Sequence, residues 1–431
     1  MMARFALRRL FDWVSTHREA PAIAVTFADG SVYNNRPGEA SAVQVTFKTP
    51  RAEWYTLLFF YEGFFESYVD GGVDLAGDHP ITTIARMGHG INLATVSFVA
   101  HLARNPLTAI RQMVQEWRQS NADRARSIGN AEFHYSPHPA LFEHMLGETV
   151  GYSEGLWTGD TKTLNQAKYN NYEYICRKLR LEPGLKVLEV GPGWGYMPIY
   201  MTKRYGVDVT VYNPVRRQND YMRERFARHG VADKIRLIEG DLRDIMHERG
   251  RFDRFVSIGV HEHAGYSRRQ YRLWARSIAA ALRDGGVGVV STTSFMIRQM
   301  TSSLTLKYIF PGGHLPSLPD TLQAFDRAGL MLVEVENLWP HYRRTVDEWR
   351  NNFARDWPQI ARADPAMFTE RFRRAWTMYL EGTVEVFRDS LDLSHIVFTK
   401  GRGADAYPMP RSDKYAEADL IGGAAEPECY R

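Results

Sequence analysis

The chain alternates short apolar runs with longer amphipathic stretches from about residue 130 to residue 401. The apolar runs have the length and composition of buried strands, and the stretches between them have the spacing of helices. Such alternation predicts a doubly wound α/β fold with a mostly parallel sheet. The predicted strands cover residues 186–190, 207–212, 235–239, 252–258, 287–292, 330–338 and 394–399.

The N-terminal part of the chain has a different pattern. Residues 1–103 contain strand-like runs at 22–27 and 42–47, separated by Gly, Asn and Pro turns, and an aromatic helical stretch at 55–68. This predicts a small α+β domain. Residues 104–130 are polar, rich in Arg and Gln, and read as a helical connector. The α/β domain then covers 131–401, and residues 402–431 form a polar, loosely held tail.

A glycine-rich turn follows the first strand of the α/β domain. The acidic Glu189 closes that strand, and Gly191, Gly193 and Gly195 alternate with bulkier residues before a new helical pattern. Glycines at such a turn let the backbone approach a nucleotide-like ligand closely. The third glycine comes one residue too early for the dinucleotide motif G-x-G-x-x-G. S-adenosylmethionine therefore fits this turn better than NAD.

Polar residues also follow the next two strands. Asn213, with Gln218 behind it, comes just past the second strand, where a ribose is normally bound. Asp241 and Leu242 follow the third strand and could flank a flat base. The carboxyl ends of neighbouring parallel strands therefore supply a set of ligand contacts at one edge of the sheet.

Composition and charge limit the classes of protein to be considered. No run of about 18 uncharged apolar residues occurs, and the N-terminus has no signal-peptide core. Two distant cysteines fit a reducing cytoplasm. Paired arginines, for example 216–217 and 373–374, suit an anionic membrane surface, although each pair alone reads as solvated charge. No nucleic-acid motif accompanies them, and the histidines have no metal-ligand spacing, so neither nucleic acid nor metal is expected.

Many colinear segments resemble the cyclopropane-fatty-acyl-phospholipid synthases and the related mycolic acid methyltransferases. These segments are His134-Tyr135, Tyr152-Ser153, Gln166 to Lys168, Ile175 to Leu179, Leu188 to Gly195, Phe252 to Gly259, Glu262-His263, Lys307 to Gly313, Pro340 to Tyr342 and Trp349. The resemblance covers nearly the whole chain, including the N-terminal domain of the phospholipid synthases.

The resemblance implies a Rossmann-like class I methyltransferase. Its activity would be transfer of a methyl group from S-adenosylmethionine to the cis double bond of an unsaturated acyl phospholipid. The products would be a cyclopropane or a methyl- or methylene-branched chain, formed through a carbocation. The implied cofactor-binding residues are Tyr152, Ser153, Glu189, Gly191, Gly193, Gly195, Asn213, Gln218, Asp241 and Leu242.

The resemblance also implies catalytic residues: Glu262, Tyr342, His263 and Tyr308. Each has a simpler interpretation. Glu262 is also explained as an acidic residue at a helix N-terminus. His263 is also explained as a structural hydrogen-bond partner, and the two tyrosines as aromatic residues of the core.

Two departures from the family pattern affect the base. Cyclopropane-forming members resemble one another in holding a bicarbonate base with a Cys, a Glu, a His and a Tyr. Glu262 and Tyr342 match, but the Cys position is Glu154 and the His position is Ser291. These changes argue against bound bicarbonate. Two nearby carboxylates, Glu154 and Glu262, would tend to share a proton and could act as the base instead. A methyl-branched or methylene product is then expected rather than a ring.

One alternative function stays open: a lipid-handling protein of this fold that has lost methyl transfer or turned to desaturation or oxygen insertion. In either case we expect a cytoplasmic protein that associates peripherally with anionic membranes. A homodimer is compatible with the sequence.

Overall fold

The computed structural model describes residues 2–16, 20–89, 105–121, 123–401 and 407. The chain forms two compact units. The first contains residues 1–118, 297–309 and 354–390, and the second contains residues 119–296, 310–353 and 391–431. Two segments from within the expected 131–401 domain thus belong to the N-terminal unit. Apart from residue 407, the tail expected at 402–431 lies outside the described residues.

The first unit contains a four-stranded sheet in the order β2-β1-β3-β4. The strands are β1 (Ile23–Thr26), β2 (Val32–Asn34), β3 (Val43–Phe47) and β4 (Val73–Gly77). β1 and β3 run parallel, and the other pairs are antiparallel. Every second residue of β3 is buried, because successive strand side chains point to opposite faces. Its helices are Met2–Ser15, Pro50–Val69, Pro80–His89, Pro106–Gln119, Ser303–Tyr308 and Glu370–Asp389.

The second unit contains a seven-stranded sheet in the order β10-β11-β9-β8-β5-β6-β7. The strands are β5 (Lys186–Val190), β6 (Asp208–Asn213), β7 (Ile235–Glu239), β8 (Phe252–Ile258), β9 (Leu282–Ser294), β10 (Leu330–Asn337) and β11 (Asp392–Lys400). β5 to β9 pair in parallel, whereas β11 is antiparallel to both β9 and β10. All seven predicted strands are present, and the predicted mostly parallel, doubly wound fold is confirmed.

Helices precede the first strand of this sheet and connect most of the later strands. They are Arg124–Tyr135, Pro139–Leu146, Leu164–Leu179, Tyr196–Tyr205, Arg216–Arg228, Arg268–Ala281 and Leu318–Arg327. A long helix, Trp339–Ala363, continues from segment 310–353 into segment 354–390. Leu164–Leu179 begins with a capping box in which Thr163 and Gln166 satisfy each other's backbone N–H groups. Among the described residues no helix is long and apolar enough to cross a membrane.

The strand order places a switch point in the sheet. β5 lies between β6 and β8. From β5 the chain adds β6 and β7 towards one edge of the sheet, and it then returns to add β8 and β9 towards the other edge. Ligands of open α/β sheets bind at the carboxyl ends of the strands at such a point. The glycine-rich turn after β5 lies there.

Candidate functional site

A solvent-connected cavity lies at the carboxyl ends of β5, β6 and β8. Nine of the ten expected cofactor residues line it: Tyr152, Ser153, Glu189, Gly191, Gly193, Asn213, Gln218, Asp241 and Leu242. Gly195 does not line the cavity. A Cβ atom there would lie 2.6 Å from Cγ of Met222, so Gly195 allows the following helix to pack closely.

The other two glycines of the turn have different surroundings. Both have positive φ, 71° at Gly191 and 59° at Gly193, which favours glycine. A Cβ at Gly191 would lie 2.3 Å from Cγ2 of Val260, whereas a Cβ at Gly193 would meet no atom within 4 Å. Gly193 therefore exposes bare backbone to the cavity, as a close ligand contact requires.

Glu189 places a buried carboxylate at this cavity. Its Oε2 atom finds no hydrogen-bond partner among the described residues. Burial raises the pKa of Glu189 to about 8. A buried carboxylate that faces a cavity in this state suits a cationic ligand. S-adenosylmethionine, with its ammonium and sulfonium groups, fits that requirement.

The polar residues after β6 and β7 are held in fixed positions. Nδ2 of Asn213 donates to Oδ1 of Asn219 at 2.8 Å and to Oε1 of Gln218 at 3.3 Å. Oδ1 of Asp241 accepts from the backbone N–H of Arg243 at 3.0 Å and from its guanidinium at 2.6 Å. These side chains are therefore oriented before any ligand binds.

An aromatic cluster adjoins the cavity at Tyr152. The Tyr152 ring lies 5.1 Å from Trp349, 5.5 Å from His134 and 6.2 Å from Phe310, measured between ring centroids. Tyr342 packs edge-on against Trp349 at 5.6 Å. Tyr342 is thus one ring removed from a cavity-lining residue and does not itself line the cavity.

The remaining catalytic candidates lie in three different environments. His263 lines the cavity, and its Nε2 is 3.3 Å from the hydroxyl of Tyr135. Burial lowers the pKa of His263 to about 4, so the imidazole is neutral at pH 7. Tyr308 belongs to the first unit, where it packs against that unit's core, with Lys307 and Arg371 over its ring.

Glu262 and Glu154 are both held by residues of β9. Oε1 of Glu262 accepts from the backbone N–H and the hydroxyl of Thr293, at 2.7 and 2.6 Å, and its Oε2 has no partner among the described residues. Burial raises the pKa of Glu262. Oε1 of Glu154 accepts from the hydroxyl of Ser291, two residues earlier on the same face of the strand, at 2.9 Å.

Glu154 has two more donors on the same oxygen. Nδ2 of Asn171 lies at 3.2 Å and Nε2 of His395 at 2.7 Å. Burial alone would raise the pKa of Glu154, but His395 and the nearby Lys168 outweigh burial and lower it to about 2. The pKa values of Glu154 and Glu262 therefore shift in opposite directions. Glu154 is ionised through His395 and Lys168 rather than by sharing a proton with Glu262, and neither carboxylate is among the residues that line the cavity.

Two residues of this site were not found from the sequence. His395 on β11 is the register partner of Ser291 on β9, so an imidazole reaches Glu154 from the strand beside the family's His position. Lys168 is fully buried and donates to the hydroxyl of Ser153 at 2.9 Å and to the carbonyl of Glu154 at 3.1 Å. Burial lowers its pKa to about 7. Lys168 lies in a segment that resembles the family, so the sequence contains a signal for its role. No segment with such a resemblance includes His395.

Comparisons with known proteins identify the family of this chain. The family model for mycolic acid cyclopropane synthetase matches residues 122–396. A probable fatty acid methyltransferase of Pseudomonas putida is 30% identical over 292 residues, covering 66% of this chain and 72% of the relative. The cyclopropane-fatty-acyl-phospholipid synthase of Escherichia coli K12 is 30% identical over 270 residues, covering 62% of this chain and 67% of the relative.

Solved structures show the same fold. The mycolic acid cyclopropane synthase CmaA1, crystallised with SAH and CTAB, superposes with a TM-score of 0.58 at 25% identity, covering 63% of this chain and 98% of that one. The cyclopropane synthase MmaA2 of Mycobacterium tuberculosis gives 0.59 at 22% identity, with the same coverage. The chain therefore belongs to the mycolic acid cyclopropane synthetase family of S-adenosylmethionine-dependent methyltransferases.

Proposed function

We propose that this protein methylates the cis double bond of an unsaturated fatty acyl chain of a phospholipid. The observation that carries the proposal is one cavity in which a buried, unpartnered Glu189 and the bare backbone of Gly193 adjoin the aromatic cluster at Tyr152. The first two features suit a cationic methyl donor, and the aromatic rings suit an acyl chain. The relatives named for acting on fatty acyl chains support this substrate class.

The reaction requires a dry site that stabilises positive charge. S-adenosylmethionine supplies an electrophilic methyl group. The π electrons of the alkene form the new C–C bond, which leaves a cation on the neighbouring carbon. The face of Tyr152, which lines the cavity, offers an electron-rich surface near such a charge. Phe310 and Trp349 pack around Tyr152, and the apolar bodies of these rings exclude water, which would otherwise capture the cation as an alcohol.

We assign Glu154 as the base that removes the proton. Its carboxylate is ionised, and it stands at the position of the Cys that in other members helps to hold bicarbonate. Its negative charge disfavours a second anion there. When the proton leaves a carbon next to the cation, the C–H electron pair forms a double bond and gives a methyl-substituted alkene. A methylene chain forms when a hydride first moves from the methylated carbon to the cation, and the proton then leaves the new methyl group. A saturated branch requires two further electrons, so it is not the direct product. Burial raises the pKa of Glu262, which makes Glu262 a weaker candidate for an ionised base than Glu154.

The experiment uses methyl-labelled S-adenosylmethionine and vesicles of an oleoyl phospholipid. Release of S-adenosylhomocysteine and a labelled methylene or methyl-alkene acyl chain are expected, at rates independent of bicarbonate. Glu154→Gln should lower turnover roughly 10²- to 10⁴-fold while leaving cofactor affinity unchanged. The exposed Glu148→Gln is the matched control. A bicarbonate-dependent enzyme that makes cyclopropane would overturn the assignment of the base.

A second function is favoured by the altered base positions themselves. Glu154 and Ser291 replace the Cys and His of the family, and such replacements also occur when an activity is lost or redirected. In that case the protein binds S-adenosylmethionine but releases no S-adenosylhomocysteine with any unsaturated phospholipid. Lipid profiling of a host fed labelled methionine distinguishes this outcome from methyl transfer.

We further propose that the first unit docks on the membrane that holds the substrate. Helix Pro106–Gln119 exposes apolar side chains at helical spacing, namely Leu107, Ile110, Val114 and Trp117. Helix Pro50–Val69, which kinks at Phe60, exposes Trp54 and Leu58 before the kink and Tyr61 after it. Arg111 joins the two helices by donating to the hydroxyl of Tyr55 and to Glu66. We define these seven exposed residues as the apolar face. Trp and Tyr among them suit a bilayer interface.

A further inference from the structure

A chain of hydrogen bonds starts at the buried carboxylate of Glu154. Nε2 of His395 lies 2.7 Å from Oε1 of Glu154, and Nδ1 of His395 lies 3.1 Å from Nζ of Lys178. Nζ of Lys178 donates in turn to Oε2 of Glu336 at 2.5 Å, and Tyr174 donates to the same oxygen at 2.8 Å. The side chains of His395 and Lys178 are fully buried, whereas that of Glu336 is 29% exposed.

The lysine decides which nitrogen of His395 carries the proton. A lysine ammonium has three donors and no acceptor. Nδ1 of His395 must therefore accept from Lys178, and the proton of the neutral ring lies on Nε2. That nitrogen consequently donates to Glu154. The same logic applies in catalytic triads, where a third group fixes the tautomer of the histidine.

The donors around Glu154 then converge on one oxygen. Oε1 accepts from Asn171, Ser291 and His395. Hydrogen bonds to the charged form of a carboxylate favour that form. None of these three bonds uses Oε2, so Oε2 is the oxygen on which the base can take a proton. The rotamer of the carboxylate is fixed by three elements at once: β9, β11 and helix Leu164–Leu179.

We propose that His395, with its tautomer set by Lys178, is the positioning residue that keeps Glu154 ionised and oriented as the base. This inference rests on the proposed function, since it deepens the role given there to Glu154. It assigns to β11 a part of the site that the family pattern places on β9.

Other charged and titratable groups also face Glu154. Nζ of Lys168 lies 3.1 Å from the Glu154 carbonyl oxygen, and Tyr172 and His341 feel its charge. On the far side of Lys178, Glu334 and Glu336 balance the ammonium at 3.5 and 2.5 Å. All of these remain when His395 is replaced, so they form a constant background in the test.

The first measurement is the pH dependence of turnover. Because removal of a donor raises the pKa of Glu154, His395→Ala should move the acid limb of the kcat profile up by about 1 to 2 pH units. His395→Gln keeps an amide donor and should move it less. Lys178→Met should move it in the same direction, but should add nothing in the His395→Ala background, because Lys178 acts through His395. His229→Gln, outside the chain of hydrogen bonds, is the matched control.

The second measurement does not depend on activity. The infrared difference between wild type and Glu154→Gln isolates the carboxylate band of Glu154, which can be titrated in each variant with S-adenosylmethionine absent. The band should persist to lower pH in wild type than in His395→Ala or Lys178→Met. If no variant moves its titration, the positioning role is overturned even though methyl transfer stands. If the titration moves but no S-adenosylhomocysteine is released, the proposed function fails while the positioning role holds.

Discussion

At the scale of single residues, Glu189 links cofactor binding to a proton. Burial raises its pKa to about 8 from an ordinary value of 4.5, so the carboxyl is mostly protonated at pH 7 in the free protein. A cationic ligand at its Oε2 favours the ionised form. Binding of S-adenosylmethionine at pH 7 should therefore release close to one proton, and release should vanish above about pH 9.5.

Calorimetry in buffers of different ionisation enthalpy measures this release. Glu189→Gln should abolish it and weaken binding, which separates Glu189 from Lys168, the other group of the site that titrates near pH 7. Glu189 should also make the free energy of unfolding of the free protein fall as the pH rises. A carboxyl with a raised folded-state pKa contributes stability below pH 4.5 and loses that contribution as the pH rises through 8. Binding enthalpies that are equal in all buffers would contradict the placement of the cation.

Single residues were predictable where the signal is local. Glu189 and Gly193 follow a strand in sequence, so strand and turn patterns place them in the site. His395 contacts Glu154 across 241 positions of sequence, and only the antiparallel pairing of β11 with β9 brings them together. No local pattern carries that information.

At the scale of elements, the glycine-rich turn allows a matched comparison. Gly191 and Gly193 both have positive φ, so alanine at either position costs about 1 to 2 kcal/mol of backbone strain. Gly191→Ala also places its Cβ against Val260, which adds about 1 to 3 kcal/mol of overpacking. Gly193→Ala places its Cβ in the cavity instead.

Thermal unfolding and calorimetry should therefore separate the two variants. Gly191→Ala should lower the Tm more, whereas Gly193→Ala should stay folded and lose S-adenosylmethionine affinity by about 10-fold or more, equivalent to about 1.4 kcal/mol. A folded Gly193→Ala variant with unchanged affinity would show that the ligand does not approach this part of the backbone.

Strands were more predictable than their arrangement. The seven strands of the second unit appear where the apolar runs predict them, with ends shifted by a few residues. β9 begins at Leu282 rather than at the predicted 287. Asp284, Gly285 and Gly286 lie in an irregularity between the paired residues Leu282 and Val287, and they carry no strand signal in the sequence. The antiparallel direction of β11 depends on sheet pairing, which the period of the sequence does not encode.

At the scale of the whole molecule, the division into units was the part least accessible from sequence. Segments 297–309 and 354–390 lie far along the chain yet belong to the first unit. Their contacts there are long-range: the carboxylate of Glu381 accepts from the backbone N–H groups of Ile81 and Thr82. A sequence pattern describes residues that are near one another along the chain. It does not show that a side chain of helix Glu370–Asp389 caps the start of helix Pro80–His89.

The apolar face leads to a prediction about membrane binding. Trp117 is 70% exposed, and burial of such a side chain in a bilayer interface contributes about 1.5 to 3 kcal/mol. Trp117→Ala should therefore weaken vesicle binding by about 10-fold or more without changing the Tm. A matched leucine pair tests the location: Leu107, 51% exposed on the apolar face, and Leu273, 49% exposed in the second unit. Leu107→Ser should weaken binding, and Leu273→Ser should not.

The arginine pairs add a contribution of different physical character. Arg8-Arg9 belongs to the first unit, and its attraction to anionic headgroups is screened over about 10 Å at 0.1 M salt. Arg373 and Arg374 of the same unit pair with Glu370, and Arg374 also pairs with Asp74, so this second pair contributes less. Vesicle sedimentation should thus show binding to anionic bilayers that weakens as salt rises, while the loss caused by Trp117→Ala stays constant across the salt series because apolar burial is not screened. Equal binding to neutral and anionic vesicles at all salt concentrations would remove the arginines from the docking surface. A Trp117→Ala protein that binds as wild type does would remove the apolar face.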